Sequence, residues 1–253
     1  MPRPLRSPAF PNGLVRFTPS DPDEAYFVDH PNLVAWISGS GLAIREMDNI
    51  WDDLAKDTLS YRTPGTVETG AKPSMAFGSR PTIRINGAAA RLLGSLTMPA
   101  SFTVATSFVM DNPVGSQQLL AAPANSSPRM SFGAQGSGYL QLNFNTGSTV
   151  AAVAQGVIPA AASVAWADFN SSTLTARLGL NNFTSGGTVL FGAGHSTPAG
   201  IGIGAFGDGS QPMTGDIGDL LIFNAVLSDA DRGKLLAMLG RRSGIVVANL
   251  PNV

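Results

Sequence analysis

Residues Tyr139-Leu-Gln-Leu-Asn-Phe144 alternate polar and apolar side chains without a break. A period of two puts Leu140, Leu142 and Phe144 on one face of a strand and Tyr139, Gln141 and Asn143 on the other, so one face is buried and the other meets solvent. Phe102, Val104, Thr106 and Phe108 share a face in the same way. From about His30 onward the apolar runs are short and are separated by turn residues, the pattern of an all-β sandwich. Ser163 to Phe169 and Thr173 to Leu180 flank the turn-prone Asn170-Ser-Ser, which predicts a hairpin. Leu220-Leu-Ile-Phe223 is apolar throughout, as expected of a strand covered on both faces.

One helix is predicted over 229–241. Ser228 supplies its cap, Asp231 the capping-box acid, and Leu235, Leu236 and Leu239 its apolar stripe, while Arg241 and Arg242 suit the negative end of the dipole. Met47, Ile50, Trp51 and Leu54 also have helical spacing. The N-terminus has four prolines in its first eleven residues and no apolar core, so it matches neither a signal peptide nor a transit helix. Residues 1–30 are expected to form a proline-rich extended arm, with Arg3, Arg6, Phe10 and Phe17 as its assembly contacts. The sandwich domain then runs over 31–243 and a tail over 244–253.

Charge narrows the function. Only 13% of residues are charged, against a typical value of about 25%, and the net charge is -1. That balance gives no long-range attraction to a polyanion, so nucleic acid is not an expected partner. No apolar stretch approaches the length of a membrane span, and membrane insertion is not expected. The absence of cysteine excludes disulfides, thiolate metal sites and a cysteine nucleophile. Residues 112–207 carry only Arg129, Asp168 and Arg177 as charged groups. A surface this poor in charge points to burial against other copies of the chain.

The segment Thr214-Gly-Asp-Ile-Gly-Asp-Leu-Leu-Ile-Phe-Asn-Ala-Val-Leu-Ser-Asp-Ala-Asp-Arg232, with its leucine-rich helix, resembles the C-terminal signature of concanavalin A-like (laminin G-like) jelly-roll domains. Asn32-Leu-Val-Ala-Trp-Ile37, Ile50-Trp-Asp-Asp-Leu54, Pro81-Thr-Ile-Arg-Ile-Asn-Gly87 and Ser101-Phe-Thr-Val104 are similar in order and spacing to that family's first strands. The resemblance spans roughly residues 31 to 243. It implies a jelly-roll sandwich of two antiparallel sheets with one short C-terminal helix and an extended N-terminal arm. It also implies a structural or adhesive module of the kind found in bacteriophage proteins. The expected role is therefore a non-enzymatic component of a virion, in a capsid decoration, head fibre or tail, with other copies and neighbouring virion proteins as partners. The alternative is an adhesin that binds a host-surface glycan.

Catalytic motifs fall short. Laminarinase-type hydrolases of this fold use Glu-x-Asp-x-x-Glu, because retaining hydrolysis needs two carboxyl groups about 5 Å apart. Here Glu46-Met-Asp-Asn-Ile-Trp51 has tryptophan in the last place. Gly202-Ile-Gly-Ala-Phe-Gly207 matches a dinucleotide fingerprint as a string, yet Asp208-Gly-Ser-Gln-Pro follows where a helix is required. Gly194-His-Ser-Thr-Pro198 has proline where a nucleophile elbow needs glycine. The resemblance allows Ca²⁺ at a loop rim, with Asp208 and Asp216 as its carboxylates; Asp216 reads more readily as a turn residue before the buried strand. No cofactor is indicated.

Glycan recognition calls for an exposed aromatic ring and amide or carboxylate side chains in loops at one end of the sandwich. Tyr139, Asn181, Asn182, His195 and Asp208 are the candidates. Trp36, Trp51 and Trp166 lie within apolar strand patterns and are read as core.

Overall fold

The computed structural model describes residues 22–39, 50–52, 60–62, 72–78, 80–87, 91–94, 96–121, 129–145, 150–191 and 200–251. The first sheet is built from β1 (Leu33–Ser38), β4 (Lys72–Phe77), β5 (Arg80–Asn86), β7 (Phe102–Met110), β12 (Ser163–Asn170), β13 (Thr175–Leu180), β14 (Thr188–Leu190) and β16 (Thr214–Phe223). Its order is β14-β13-β12-β7-β16-β5-β4, and β1 lies end to end with β5 along one edge of β16. The second sheet contains β2 (Ile50–Asp52), β3 (Ser60–Arg62), β6 (Leu92–Gly94), β8 (Gln117–Ala121), β9 (Arg129–Gln135), β10 (Tyr139–Asn145), β11 (Val150–Val157) and β15 (Ile201–Ile203). Its order is β11-β10-β9-β8-β15-β6-β3-β2. The strands pair antiparallel throughout both sheets, so the expected two-sheet sandwich is the fold.

Alternation decides what each strand buries. Leu140, Leu142 and Phe144 of β10 enter the core between the sheets with Phe102, Val104 and Phe108 of β7 and Ile217, Leu220 and Ile222 of β16. Phe102, Phe144, Phe169 and Phe191 form an aromatic knot there; Phe144 lies 4.9 Å from Phe169 and 5.0 Å from Phe191, both edge to face. The hairpin forms as read: β12 and β13 pair from Ala165↔Leu180 to Asn170↔Thr175. Asn170 Oδ1 accepts from the N–H groups of Ser172 and Thr173 and so closes the turn. The glycine-rich string at 202–207 is strand and turn, with Gly204 at φ 84°, and opens no helix.

A second core lies on the outer face of the first sheet. Helices α1 (Pro22–Val28) and α2 (Asp229–Ser243) pack there over Trp36, Ala105, Val164, Trp166, Leu221 and Phe223. This layer explains why Leu220–Phe223 of β16 is apolar on both faces and why the strand is buried along nearly its whole length. Both Trp36 and Trp166 are core residues, as read, but they fill this helix layer and not the space between the sheets. Ser228 Oγ accepts from Asp231 N–H at the start of α2 and Gly244 closes it at φ 69°.

Several expectations need correction. Residues 22–28 are not an extended arm. Proline at the first position and two acids in the first turn favour a helix, and Phe27, fully buried, fastens it against Phe223 at 5.9 Å. There are thus two helices among the described residues. The tail also packs: Val247 is buried, Ile245 and Leu250 lie against the second core, and Ala248 bridges to Asn182. Ile50–Asp52, read at helical spacing with Met47 and Leu54, is a strand paired with Ser60–Arg62, because four apolar positions do not separate the two periods; Met47 and Leu54 lie outside the described residues. Arg242 does not serve the helix dipole from solvent. It follows Leu235 and Leu239 on the inward face of α2 and is buried. Asp216 is neither a turn nor a rim residue; it lies inside β16.

His30 sits behind α1 among Tyr26, Phe27 and Phe223, and its Nδ1 accepts from Asn32 N–H. Burial pushes its pKa below the usual value, although nearby Asp231, itself bonded by Tyr26, opposes the shift. The unfolded chain then binds the extra proton first. His30 contributes stability that is complete above its unfolded pKa and is lost as pH falls through about 6.5 toward its folded value. Urea unfolding at stepped pH checks this: His30→Gln is expected to flatten the dependence in that window, and an unchanged slope counts against it.

Candidate functional site

The loops at one end of the sandwich are tied to each other. Gly115 N–H donates to Gly136 O, Ile158 N–H to Gly138 O, Thr214 N–H to Gln117 Oε1 and Gln118 N–H to Gln211 O. The segments 111–116, 136–138, 158–162 and 204–213 therefore form a common rim, and the turn 181–187, which follows β13 beside the start of β12, leaves the first sheet at the same end. Four of the five sequence candidates, Tyr139, Asn181, Asn182 and Asp208, lie on or beside it.

They do not form one site. Asn181 adopts φ 51°, its Oδ1 accepts from Val164 N–H at 2.7 Å and its Nδ2 donates to Ser163 Oγ at 3.3 Å. Asn182 Oδ1 accepts from Thr184 N–H and Asn249 Nδ2, while its backbone carbonyl accepts from Trp166 Nε1. Both asparagines are spent on holding the C-terminal segment and the end of β13. Asp208 Oδ1 accepts from both the N–H and the hydroxyl of Ser210, which hold its carboxyl below the usual carboxylate range. It is the pivot of a turn. His195 and the arm contacts Arg3, Arg6, Phe10 and Phe17 lie outside the described residues.

Tyr139 remains free to act. It opens β10 on the outer face of the second sheet, opposite Gln135 of β9 and Val157 of β11, and is 45% exposed. Val157 is 55% exposed and Val114, in the loop bonded to the turn before β10, is 65% exposed. Gln141 and Asn143 continue the row along β10, half-buried, with Asn143 Nδ2 donating to Gln141 Oε1 at 3.4 Å. Gln135 Oε1 accepts from Ser116 Oγ at 3.1 Å. Through Gly133 the register continues to Gln118, which donates from Nε2 to Gln211 at 2.6 Å; its Oε1 is buried without a hydrogen-bond partner. The arrangement is an aromatic ring beside the side-chain amides of Gln135, Gln141 and Asn143, which carry both donors and acceptors, while Gln118 is wholly buried. Gln141 and Asn143 were legible from the alternation. Gln135 and Gln118 were not, because only the cross-strand register brings them to this face.

The buried carboxylates are elsewhere and are paired. Asp168 is gripped by Arg177 at 2.7 Å and reached by Arg232 at 3.4 Å; burial nonetheless pushes its pKa up. Arg232 also lies 4.4 Å over the ring of Trp166. Asp216 binds Arg84 at 2.8 Å and Thr82 at 3.0 Å, and so is already neutralised without a cation. Among the described residues, no cluster of three histidine or acidic side chains is arranged to hold a metal, and no helix is long and apolar enough to cross a membrane.

No protein-family model and no curated protein sequence matches the chain. Solved structures do share its fold. The binding domain of Botulinum neurotoxin DC, in complex with rat synaptotagmin II, superposes with a TM-score of 0.62 at 13% identity, over 84% of this chain and 52% of that one. Domain 4 of AbnA, a GH43 extracellular arabinanase from Geobacillus stearothermophilus solved with arabinotriose, gives 0.60 at 14%, over 84% of this chain and 98% of that domain. Trypanosoma rangeli sialidase gives 0.56 at 15%, over 85% of this chain but only 33% of the sialidase. The chain therefore spans about a third of the sialidase length. These likenesses establish the β-sandwich fold.

Proposed function

We propose that the domain is a non-enzymatic carbohydrate-binding module whose ligand lies on the outer face of the second sheet around Tyr139. The observation that carries this reading is the exposed Tyr139 ring in register with Gln135 and in line with Gln141 and Asn143. An aromatic face covers the apolar side of a sugar ring, and neighbouring amides pair with its hydroxyls. The arabinanase domain supports the reading as a whole-domain likeness solved with an oligosaccharide. Absence of catalysis is part of the same proposal, supported by the engagement of Asp168, Asp216 and Asp219 with arginines. The expected place in a phage particle has no support in the fold or in the likenesses.

A glycan screen of the full chain, followed by calorimetric titration of the best ligand, tests this. Tyr139→Ala is expected to weaken binding about tenfold or more, the range of an aromatic anchor, with no fall in melting temperature. Gln141→Ala is expected to weaken it less. Unchanged affinity in both variants would remove the site from this face.

A further inference from the structure

Resting on that reading, we infer that the ligand is a neutral, linear oligosaccharide and not a sialylated or uronic-acid glycan. Recognition of a sugar carboxylate uses an arginine or lysine, because a charge-assisted, two-point hydrogen bond offsets the desolvation of the anion. Between Tyr139 and Asn143 the positions paired with β10 on β9 and β11 carry no such group; Arg129 stands one same-face position beyond Asn143. From Asn112 to Ala167 the sequence holds Arg129 as its single charged residue. The pairing Asn145↔Arg129 sets it six residues along β10 from Tyr139, about 20 Å at the usual rise of a strand.

The arginines nearer the rim are committed. Arg84 is bound by Asp111 and Asp216, and Arg91 donates to Gly207 O at 3.0 Å. Arg177 is bound by Asp168 in the first sheet. What faces the ligand is amide, hydroxyl and aliphatic: Gln135, Gln141, Asn143, Tyr139, Val157 and Val114. Amides match hydroxyl groups, which also donate and accept; a carboxylate only accepts and would leave the amide carbonyls facing it. The row from Tyr139 to Asn143 covers four residues of rise, about 13 Å. That exceeds one sugar ring and suits a chain of sugars laid along the strand.

The test uses the full chain and two sets of probes in calorimetric titrations. The neutral set is arabinotriose with linear gluco-, xylo- and manno-tetrasaccharides; the acidic set is oligogalacturonate and sialyllactose. Binding is expected within the neutral set alone, with affinity changed less than twofold between about 50 mM and about 500 mM NaCl, since no ion pair forms. Tyr139→Ala should weaken it tenfold or more, Tyr139→Phe should retain it within about threefold, and Arg129→Ala should leave it unchanged. Binding of the acidic set that fades with salt and disappears in Arg129→Ala, while still depending on Tyr139, overturns the neutral class and keeps the site. Binding of neutral sugars that ignores Tyr139→Ala overturns the site itself. Failure of every probe to bind counts against both.

Discussion

Asp219→Ala is expected to cost about 3 to 5 kcal/mol of folding stability, the range for leaving one partner of a buried ion pair uncompensated. Arg242 is buried at the end of α2, donating from Nε to Asp219 Oδ2 at 2.8 Å and from Nη2 to Asp219 Oδ1 at 3.1 Å. Asp219 Oδ1 also accepts from Trp36 Nε1 at 2.9 Å. Glu24 of α1 reaches the other side of the same guanidinium, Ser38 Oγ accepts from it at 3.2 Å, and the Trp36 ring lies 5.6 Å away. Alanine at 219 removes both bonds from Asp219 to the Arg242 guanidinium and the acceptor of Trp36 Nε1. Urea denaturation reads the loss as a lower midpoint at constant slope. Replacing all three charges, Asp219→Leu with Arg242→Met and Glu24→Gln, should recover part of it, because no buried charge is then left without its partner. A loss below about 1 kcal/mol in the single variant would show that Glu24 alone balances Arg242.

Phe144→Ala should be comparably damaging for a different reason. Its ring meets Phe102, Phe169 and Phe191 between the sheets and is almost wholly buried, so truncation removes apolar burial and leaves a cavity. Such changes cost about 3 to 5 kcal/mol. Phe144 projects from the opposite side of β10 to Tyr139, Gln141 and Asn143. The variant, measured below its lowered melting temperature, should therefore bind glycan as the parent does, whereas Tyr139→Ala should show the reverse pair of results. Loss of binding in folded Phe144→Ala would mean that the knot holds the face in shape.

That opposition within one strand shows where the sequence could be read. Strict alternation from Tyr139 to Phe144 assigned both faces, since a period of two leaves no choice once one face is apolar. The cap at Ser228 and the run from Leu220 to Phe223 were equally local signals. What was hidden depends on distance along the chain. Asp219 and Glu24 read as ordinary acids; only folding sets them 23 and 218 residues from Arg242 in sequence and in contact in space. Asn181 and Asn182 read as available amides, and the folded chain uses them to satisfy backbone groups. Asp216 reads as a rim or turn residue before the apolar run Leu220–Phe223, while the register with Arg84 holds it in β16. The Tyr139 surface was half legible for the same reason: one strand was visible, its partners were not.

The helix layer gives the domain a back and a front. Helices α1 and α2 cover the outer face of the first sheet, and Tyr139 stands on the outer face of the second. The described residues begin at Pro22, on the rear, where Asp23 and Glu24 are pinned to Arg241 and Arg242. Under the proposed function, attachment on that side would direct the Tyr139 surface away from the support. Copies mounted side by side in that way would present many weak sugar sites in one plane, and a surface bearing many identical glycans would be held by avidity, with a gain of about 10² to 10⁴ over a single site and no new contact.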